Sequence, residues 1–133
     1  MFPPDTKILL AEDMSSVRDV LIETFNSIGF KNITSCKDGA DAWEQMQDSS
    51  HPIDLIVSDM NMPNSNGLDL LKRVRSTSRF KNLPFLMISE SADQEIILNA
   101  MKLGADYFLI KPFNGPELSI KLKKIYDIKI GSK

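Results

Sequence analysis

The sequence predicts an α/β domain in which five helices flank a doubly wound, five-stranded parallel sheet. Three observations carry this prediction: the chain contains five short apolar runs, segments with helical periodicity lie between them, and the runs are continuously apolar rather than alternating. Continuous runs are typical of strands that helices bury on both faces, and right-handed crossovers then arrange such strands in a parallel sheet. In such folds, ligands lie beyond the carboxyl ends of the strands.

The elements alternate along the chain, with a strand first. The runs are short and rich in branched or aromatic side chains, which predicts strands at Ile8–Ala11, Ile33–Cys36, Leu55–Val57, Phe85–Ile88 and Tyr107–Ile110. After each strand, apolar residues recur at helical spacing and predict one helical face. The five faces are Val17, Val20, Leu21, Phe25 and Ile28; Ala40, Trp43 and Met46; Leu68, Leu71 and Val74; Ile96, Ile97, Ala100 and Leu103; and Leu118, Leu122 and Ile125. Gly29 and Gly104 are expected to end the first and fourth helices.

The composition is that of an ordinary globular domain and argues against several functional classes. The 133 residues include 16 basic and 18 acidic ones, so a net charge of −2 gives no indication of nucleic-acid binding. The lone Cys36 excludes an internal disulfide and favours a reducing compartment; we expect it to be a buried, inert thiol. No apolar stretch approaches the ~20 residues of a membrane span, and "MFPPDTK" is unlike a secretion signal. We therefore expect a cytoplasmic protein that does not contact membranes.

Polar groups follow four of the five predicted strands. Glu12 and Asp13 follow the first strand and Asp59 follows the third. Ser89 and Lys111 come at the ends of the fourth and fifth strands. Because the carboxyl ends of parallel strands meet at one edge, these five groups are expected to converge there. Three neighbouring carboxylates would repel one another, and Mg²⁺ is the cation that such oxygen ligands suit.

A carboxylate beside Mg²⁺, a hydroxyl and a lysine is equipped to receive a phosphoryl group. Asp59 would attack in line, while Lys111 neutralises charge on the equatorial oxygens and Ser89 donates a hydrogen bond to one of them. Competing motifs fit poorly: a calcium loop starting at Asp59 would require a glutamate where Leu70 stands. His51 has no second His or Cys at ligand spacing.

These residues resemble the receiver domains of two-component response regulators. The resemblance rests on "LLAED" after the first strand, "VSDMNMPNSNG" around Asp59, "MIS" ending in Ser89 and "GADYFLIKPF" around Lys111. It extends from about residue 7 to about residue 126 and implies one receiver domain over residues 1–133, without an output domain. It also implies the flavodoxin-like strand order 2-1-3-4-5. Within the family, "SDMNMPNSNGLDLLKRVR" and "IKPF" look most like the stand-alone chemotaxis regulators of the CheY type.

The resemblance implies a phosphoacceptor and a metal site. Asp59 matches the residue that receives the phosphoryl group. Mg²⁺, or Mn²⁺ in its place, would be bound by the side chains of Asp13 and Asp59, by Glu12 through water, and by the main-chain carbonyl of Asn61. Asn61 and Ser91 match positions that influence how water reaches the phosphoryl group, and the small Ser91 predicts a phosphorylated state that decays without a dedicated lid.

The resemblance also implies a conformational switch. Ser89 matches the switch hydroxyl, Lys111 the phosphoryl-binding lysine, and Phe108 the aromatic that turns inward when the hydroxyl moves. The bond from Lys111 to Pro112 is expected to be cis. Three residues depart from the family's commoner choices: Glu12 stands for Asp, Ser89 for Thr, and Phe108 for the Tyr of chemotaxis members. A permanently packed core aromatic is the alternative interpretation of Phe108.

The expected function is a phosphorylation-controlled interaction switch, and not an enzyme acting on a separate substrate. The implied partners are a CheA-like histidine kinase and either a flagellar motor switch protein or a histidine phosphotransfer protein, and the chain is expected to be a monomer. The signal would leave through the face formed by the fourth helix, fifth strand and fifth helix. The alternatives are an intermediate receiver in a phosphorelay and a small Mg²⁺-dependent phosphatase, although no second domain is available to form a substrate pocket.

Overall fold

Five parallel strands alternate with five helices, which confirms the predicted order. The computed structural model describes residues 1–48, 50–62 and 66–131. The strands are β1 (Ile8–Ala11), β2 (Ile33–Cys36), β3 (Leu55–Asp59), β4 (Phe85–Ser89) and β5 (Tyr107–Ile110). The helices are α1 (Ser15–Ser27), α2 (Gly39–Met46), α3 (Gly67–Ser76), α4 (Gln94–Lys102) and α5 (Gly115–Tyr126), and a π-helical turn at Asp127–Gly131 follows α5. β3 and β4 run further than predicted, so that Asp59 and Ser89 are their last residues.

The strand order in the sheet is β2-β1-β3-β4-β5, as the family resemblance implies. All four neighbouring pairs are parallel. From β1 the chain pairs first on one side, with β2, and then on the other, with β3. The carboxyl ends of β1 and β3 therefore flank the point where the strand order reverses, which is where ligands bind in open α/β sheets.

The helices cover the sheet in two layers, each with its own apolar cluster. Buried side chains of α1 and α5 pack with Ile8 and Leu10 on one face. Buried side chains of α2, α3 and α4 pack with Leu9 and Ala11 on the other. Because successive residues of a strand point to opposite faces, a strand between two layers must be apolar throughout. β1 is such a strand, and all four of its residues are buried.

Three expectations about burial are wrong. β2 lies at an edge of the sheet, so Thr34 and Ser35 are exposed and the strand is not buried on both faces. Val20, placed by its spacing on the inner face of α1, is 60% exposed because it lines a surface groove instead of the core. In α2 the buried alanine is Ala42 and not Ala40, because the helix turns the face containing Ala42 and Met46 towards the sheet.

Local signals account for the starts of four helices and the ends of two. Four helices begin with a side chain that accepts a hydrogen bond from a backbone N–H in the first turn, and these capping residues are Asp38, Asn66, Asp93 and Asn114. Gly29 and Gly104 have φ values of +103° and +108°, which favour glycine, and they follow α1 and α4 as predicted. Within the described ranges, no helix combines the length and apolarity that a membrane crossing requires.

Candidate functional site

The carboxyl edge of the sheet brings together the polar residues that follow the strands. Asp59 ends β3 and Ser89 ends β4, while Glu12 follows β1 and Lys111 follows β5. Backbone hydrogen bonds continue beyond the strands and fix the last two positions. The Glu12 N–H donates to the Cys36 carbonyl at 2.9 Å, and the Lys111 N–H donates to the Ser89 carbonyl at 2.8 Å. The backbone at Glu12 and Lys111 is therefore held in place by hydrogen bonds to the neighbouring strands.

Lys111 pairs with two carboxylates that are nearly inaccessible to solvent. Its Nζ lies 2.7 Å from Glu12 Oε1 and 3.3 Å from Asp59 Oδ1. The Lys111 side chain is 13% exposed, against 1% for Glu12 and 10% for Asp59. Burial alone would lower the pKa of Lys111, but the hydrogen bond to Glu12 and the charge of Asp59 outweigh it, so the pKa is raised. The ammonium group is therefore held in its charged form.

One ammonium group does not balance the acidic groups around it. Glu12, Asp13 and Asp59 each present an oxygen, and these three oxygens lie within 4.8 Å of one another. Burial is the main cause of the raised pKa values of Glu12 and Asp59, and it outweighs the opposing effect of Lys111. Because ionisation is costly here without more positive charge, the donor set fits a divalent cation with oxygen ligands, such as Mg²⁺. Asn61, the expected source of a carbonyl ligand, is exposed two residues beyond Asp59.

Ser89 is connected to the start of α4 by a short series of hydrogen bonds. The hydroxyl of this fully buried residue accepts a hydrogen bond from the Ser91 N–H at 3.1 Å. The Ser91 hydroxyl accepts one from the Asp93 N–H at 3.2 Å, and Asp93 caps α4 through the Glu95 N–H. A displacement of the Ser89 hydroxyl would free the Ser91 N–H and disturb the turn that leads into α4.

Phe108 is already packed inward in this structure. It lies opposite Met87 in the register of β4 and β5, and it is 7% exposed. Its neighbours belong to the apolar cluster beneath α4, which includes Ala100 and Ala105. Three residues further on, the peptide bond between Lys111 and Pro112 is cis.

Two residues at the site were not singled out from the sequence. Arg18 of α1 donates a hydrogen bond from Nη1 to the Glu12 carbonyl at 2.7 Å. At Gly67, the first residue of α3, a Cβ atom would collide with the Asp59 carbonyl oxygen and lie 2.9 Å from Met87 Sδ. Glycine therefore lets α3 start directly against the Asp59 backbone. The available signal for Gly67 is a glycine directly before the predicted helical face that starts at Leu68, whereas nothing local marks Arg18.

An apolar groove of about 360 Å³ opens beside Lys111. Val17, Val20 and Leu21 of α1 form one wall, and Pro112 and Phe113 form the other. The groove is therefore continuous with the acidic site.

Of the motif around Asp59, residues Pro63, Asn64 and Ser65 lie outside the described residues.

Comparison with known proteins identifies the family. The model of the response regulator receiver domain matches residues 8–123. The chemotaxis protein CheY-3 of Vibrio cholerae is 36% identical over 121 residues, which cover 91% of this chain and 92% of that protein. The chemotaxis protein CheY1 of Helicobacter pylori is 34% identical over 119 residues, or 90% and 95% of the two chains. The structure of V. cholerae CheY4 superposes with a TM-score of 0.81 at 30% identity, covering 91% of this chain and 98% of that one. The chain therefore belongs to the response regulator receiver domain family, as a CheY-like member.

Proposed function

We propose that Asp59 accepts a phosphoryl group from the phosphohistidine of a histidine kinase, in a Mg²⁺-dependent reaction, and that this switches a protein-binding face in chemotaxis. Two-component signalling follows from the family, whereas the acceptor residue, the metal ligands and the partners belong to the proposal. The observation that carries the proposal is the contact of Lys111 Nζ with Asp59, 3.3 Å apart, among three clustered carboxylates. An Asp59 phosphate would find both a cation and metal ligands already in position.

The chemistry requires only transfer between two protein side chains. A carboxylate oxygen of Asp59 attacks phosphorus, the P–N bond breaks, its electron pair stays on the imidazole nitrogen, and an aspartyl phosphate forms. Lys111 stabilises the charge on the phosphoryl oxygens. The metal would be held by Glu12, Asp13 and Asp59 with the Asn61 carbonyl, and when bound it supplies further neutralisation of that charge.

The groove beside Lys111 supports a protein as the phosphodonor. Its α1 wall leaves Val20 60% exposed within reach of the acidic site. Exposed apolar surface next to a reactive group is suited to a protein partner that brings its own reactive side chain. A histidine kinase or a histidine phosphotransfer protein could seat an apolar helix there and present its histidine to Asp59.

The hydrogen bonds around Ser89 suggest how the signal leaves the site. A phosphoryl oxygen that attracts the Ser89 hydroxyl would compete with the Ser91 N–H and shift the start of α4. The α4–β5–α5 face carries partly exposed Leu98, Met101 and Ile110, which a partner such as a flagellar motor switch protein could cover. Phe108 would couple the two regions because it packs beneath α4.

Phosphodonor labelling tests the acceptor role directly. The protein is treated with acetyl phosphate in the presence or absence of Mg²⁺, and the added phosphoryl mass is measured. We expect Mg²⁺-dependent labelling of the native chain, none of Asp59→Asn, and full labelling of Asp54→Asn, a control that removes an exposed carboxylate before β3. Equal labelling of Asp59→Asn would refute the proposal. Continuous hydrolysis of a phosphate ester by the isolated protein would favour the phosphatase alternative.

A second experiment separates the motor switch from the phosphorelay. Phe108 lacks the hydroxyl of the tyrosine common in chemotaxis members, and this observation keeps the phosphorelay as a candidate. Phosphorylated protein is mixed in turn with a motor switch protein and a histidine phosphotransfer protein, and binding and loss of label are measured. Transfer of the label to the second protein would favour the relay.

If Phe108→Ala leaves phosphorylation-dependent binding unchanged, Phe108 is only a packed core residue. A phosphorylated state that persists for many hours would contradict the expectation that the small Ser91 leaves the phosphoryl group accessible to water.

A further inference from the structure

A second charged surface lies towards the end of α3 that is remote from Asp59. The segment "KRVRSTSRFK", residues 72–81, contains five basic residues and no acidic one, although the whole chain has a net charge of −2. Arg75 points inward, where it pairs with Asp106 at 3.0 Å and donates to backbone carbonyls. The other four basic residues are exposed, and among the described ranges none of them pairs with a carboxylate; they are Lys72, Arg73, Arg79 and Lys81.

Two of these cations rest on a pair of aromatic rings. The rings of Trp43 in α2 and Phe80 are 5.7 Å apart and meet edge to face at 82°. The Arg73 guanidinium lies 4.8 Å from the centre of the Trp43 ring, and that of Arg79 lies 4.9 Å from the centre of the Phe80 ring. We call these four residues the arginine–aromatic patch. Ring contacts hold a guanidinium in a defined plane while its N–H groups stay available.

We propose that the arginine–aromatic patch binds an acidic segment of a partner protein through carboxylates on Arg73 and Arg79. A planar guanidinium binds a carboxylate through two parallel hydrogen bonds, and prior ordering of the side chain reduces the entropy lost on binding. Lys72 and Lys81 flank the pair and add attraction for a run of acidic residues. The surface thus presents two arginine side chains, a residue type enriched in protein interfaces, over the half-buried ring of Trp43 and the buried ring of Phe80.

Charge and geometry favour an acidic protein segment over nucleic acid or a membrane. Arg73 occupies a face of the Trp43 ring, so that face is not free to stack on a base. The net charge of −2 would repel an extended polyanion. A short acidic segment experiences mainly the local cations, because interactions between exposed charges are screened beyond about 10 Å.

The patch is separate from the surfaces used in the proposed function. α3 begins at Gly67 against the Asp59 backbone, and Arg73 lies six residues later, about 9 Å along the helix axis. Arg79 and Phe80 lie beyond the end of α3, and Trp43 is in α2, so none of the patch belongs to the α4–β5–α5 face. Binding here requires no phosphorylation and leaves that face free for a second partner.

Trp43 is the single tryptophan of the chain and provides a direct reporter. A tetraglutamate peptide is titrated into the full protein while Trp43 emission is recorded. We expect a saturable change with the native chain, the same change with Asp59→Asn, and affinity at least about tenfold lower in Arg73→Gln/Arg79→Gln. The control Lys31→Gln/Lys123→Gln removes the same charge from exposed positions elsewhere and should bind within about twofold of the native chain.

A third variant separates specific recognition from simple charge attraction. Arg73→Lys/Arg79→Lys keeps both charges but loses the planar groups, and we expect it to lose most of the affinity. Far-UV circular dichroism and urea unfolding verify that each variant is folded. The proposal is overturned if native protein gives no saturable change, if the control weakens as much as the arginine variant, or if the lysine variant binds like the native chain. Tighter binding to a single-stranded DNA oligonucleotide or to phosphatidylglycerol vesicles than to the peptide would also overturn it.

Discussion

Replacement of Lys111 by methionine isolates the contribution of one ammonium group to the acidic site. At an effective dielectric constant near 20, separations of 2.7 and 3.3 Å correspond to attractions of about 6 kcal/mol for Glu12 and about 5 kcal/mol for Asp59. Desolvation of the 13% exposed lysine offsets part of this. Removing one partner of a buried ion pair costs about 3–5 kcal/mol, and we expect Lys111→Met to lower the free energy of unfolding at pH 7 by that amount.

The loss of stability caused by Lys111→Met should depend on pH, and the carboxyl groups of Glu12 and Asp59 determine its direction. Their pKa values are raised in the folded state, mainly by burial. Such a carboxyl group does not lower the free energy of unfolding at pH values below the pKa that it has in the unfolded chain, which is about 4. The free energy of unfolding falls as the pH rises from there through the pKa of the folded state. Without Lys111 the folded pKa values rise further. The difference between Lys111→Met and the native chain should therefore be smaller at pH 4 than at pH 7.

Urea unfolding followed by far-UV circular dichroism measures this effect, first in EDTA and then in Mg²⁺. Because Mg²⁺ would replace the missing positive charge, we expect it to stabilise Lys111→Met more than the native chain. The matched control is Lys124→Met, an exposed lysine that contacts the Tyr107 ring and hydroxyl, with an expected change below about 0.5 kcal/mol. A loss below 1 kcal/mol for Lys111→Met, or no extra Mg²⁺ stabilisation, would refute the reasoning.

Three further predictions concern the frame around the site. Gly67→Ala should lower the free energy of unfolding by about 1–3 kcal/mol, because the added Cβ meets the Asp59 carbonyl; an unchanged urea midpoint would contradict this. Burial raises the pKa of Cys36 to about 12, so its alkylation by iodoacetamide at pH 8 should be very slow in buffer and rapid in urea; fast labelling of folded protein would show an accessible thiol. Arg75→Met should cost about 3 kcal/mol in the same unfolding assay, since it breaks the partly buried pair with Asp106, and a neutral result would mean that this pair does not stabilise the fold.

Most of the site could be predicted because most of its polar residues end a strand or directly follow one. Apolar runs identify buried strands locally, and parallel strands present their carboxyl ends at one edge. That reasoning predicts the gathering of Glu12, Asp59 and Lys111 without any knowledge of their contacts. Local sequence patterns do not predict the contacts themselves, because Lys111 and Glu12 are 99 residues apart and meet only through the register of the sheet.

Local sequence patterns specify the order of strands and helices, the polar residues at the strand ends and the glycines that follow α1 and α4. These are local properties of spacing and backbone conformation. Packing between distant segments is what exposes β2 at an edge of the sheet, turns Val20 towards a groove, and places Arg73 and Arg79 on aromatic rings. Helical periodicity specifies which residues share a face, but it does not specify what that face meets, since this depends on how distant segments pack.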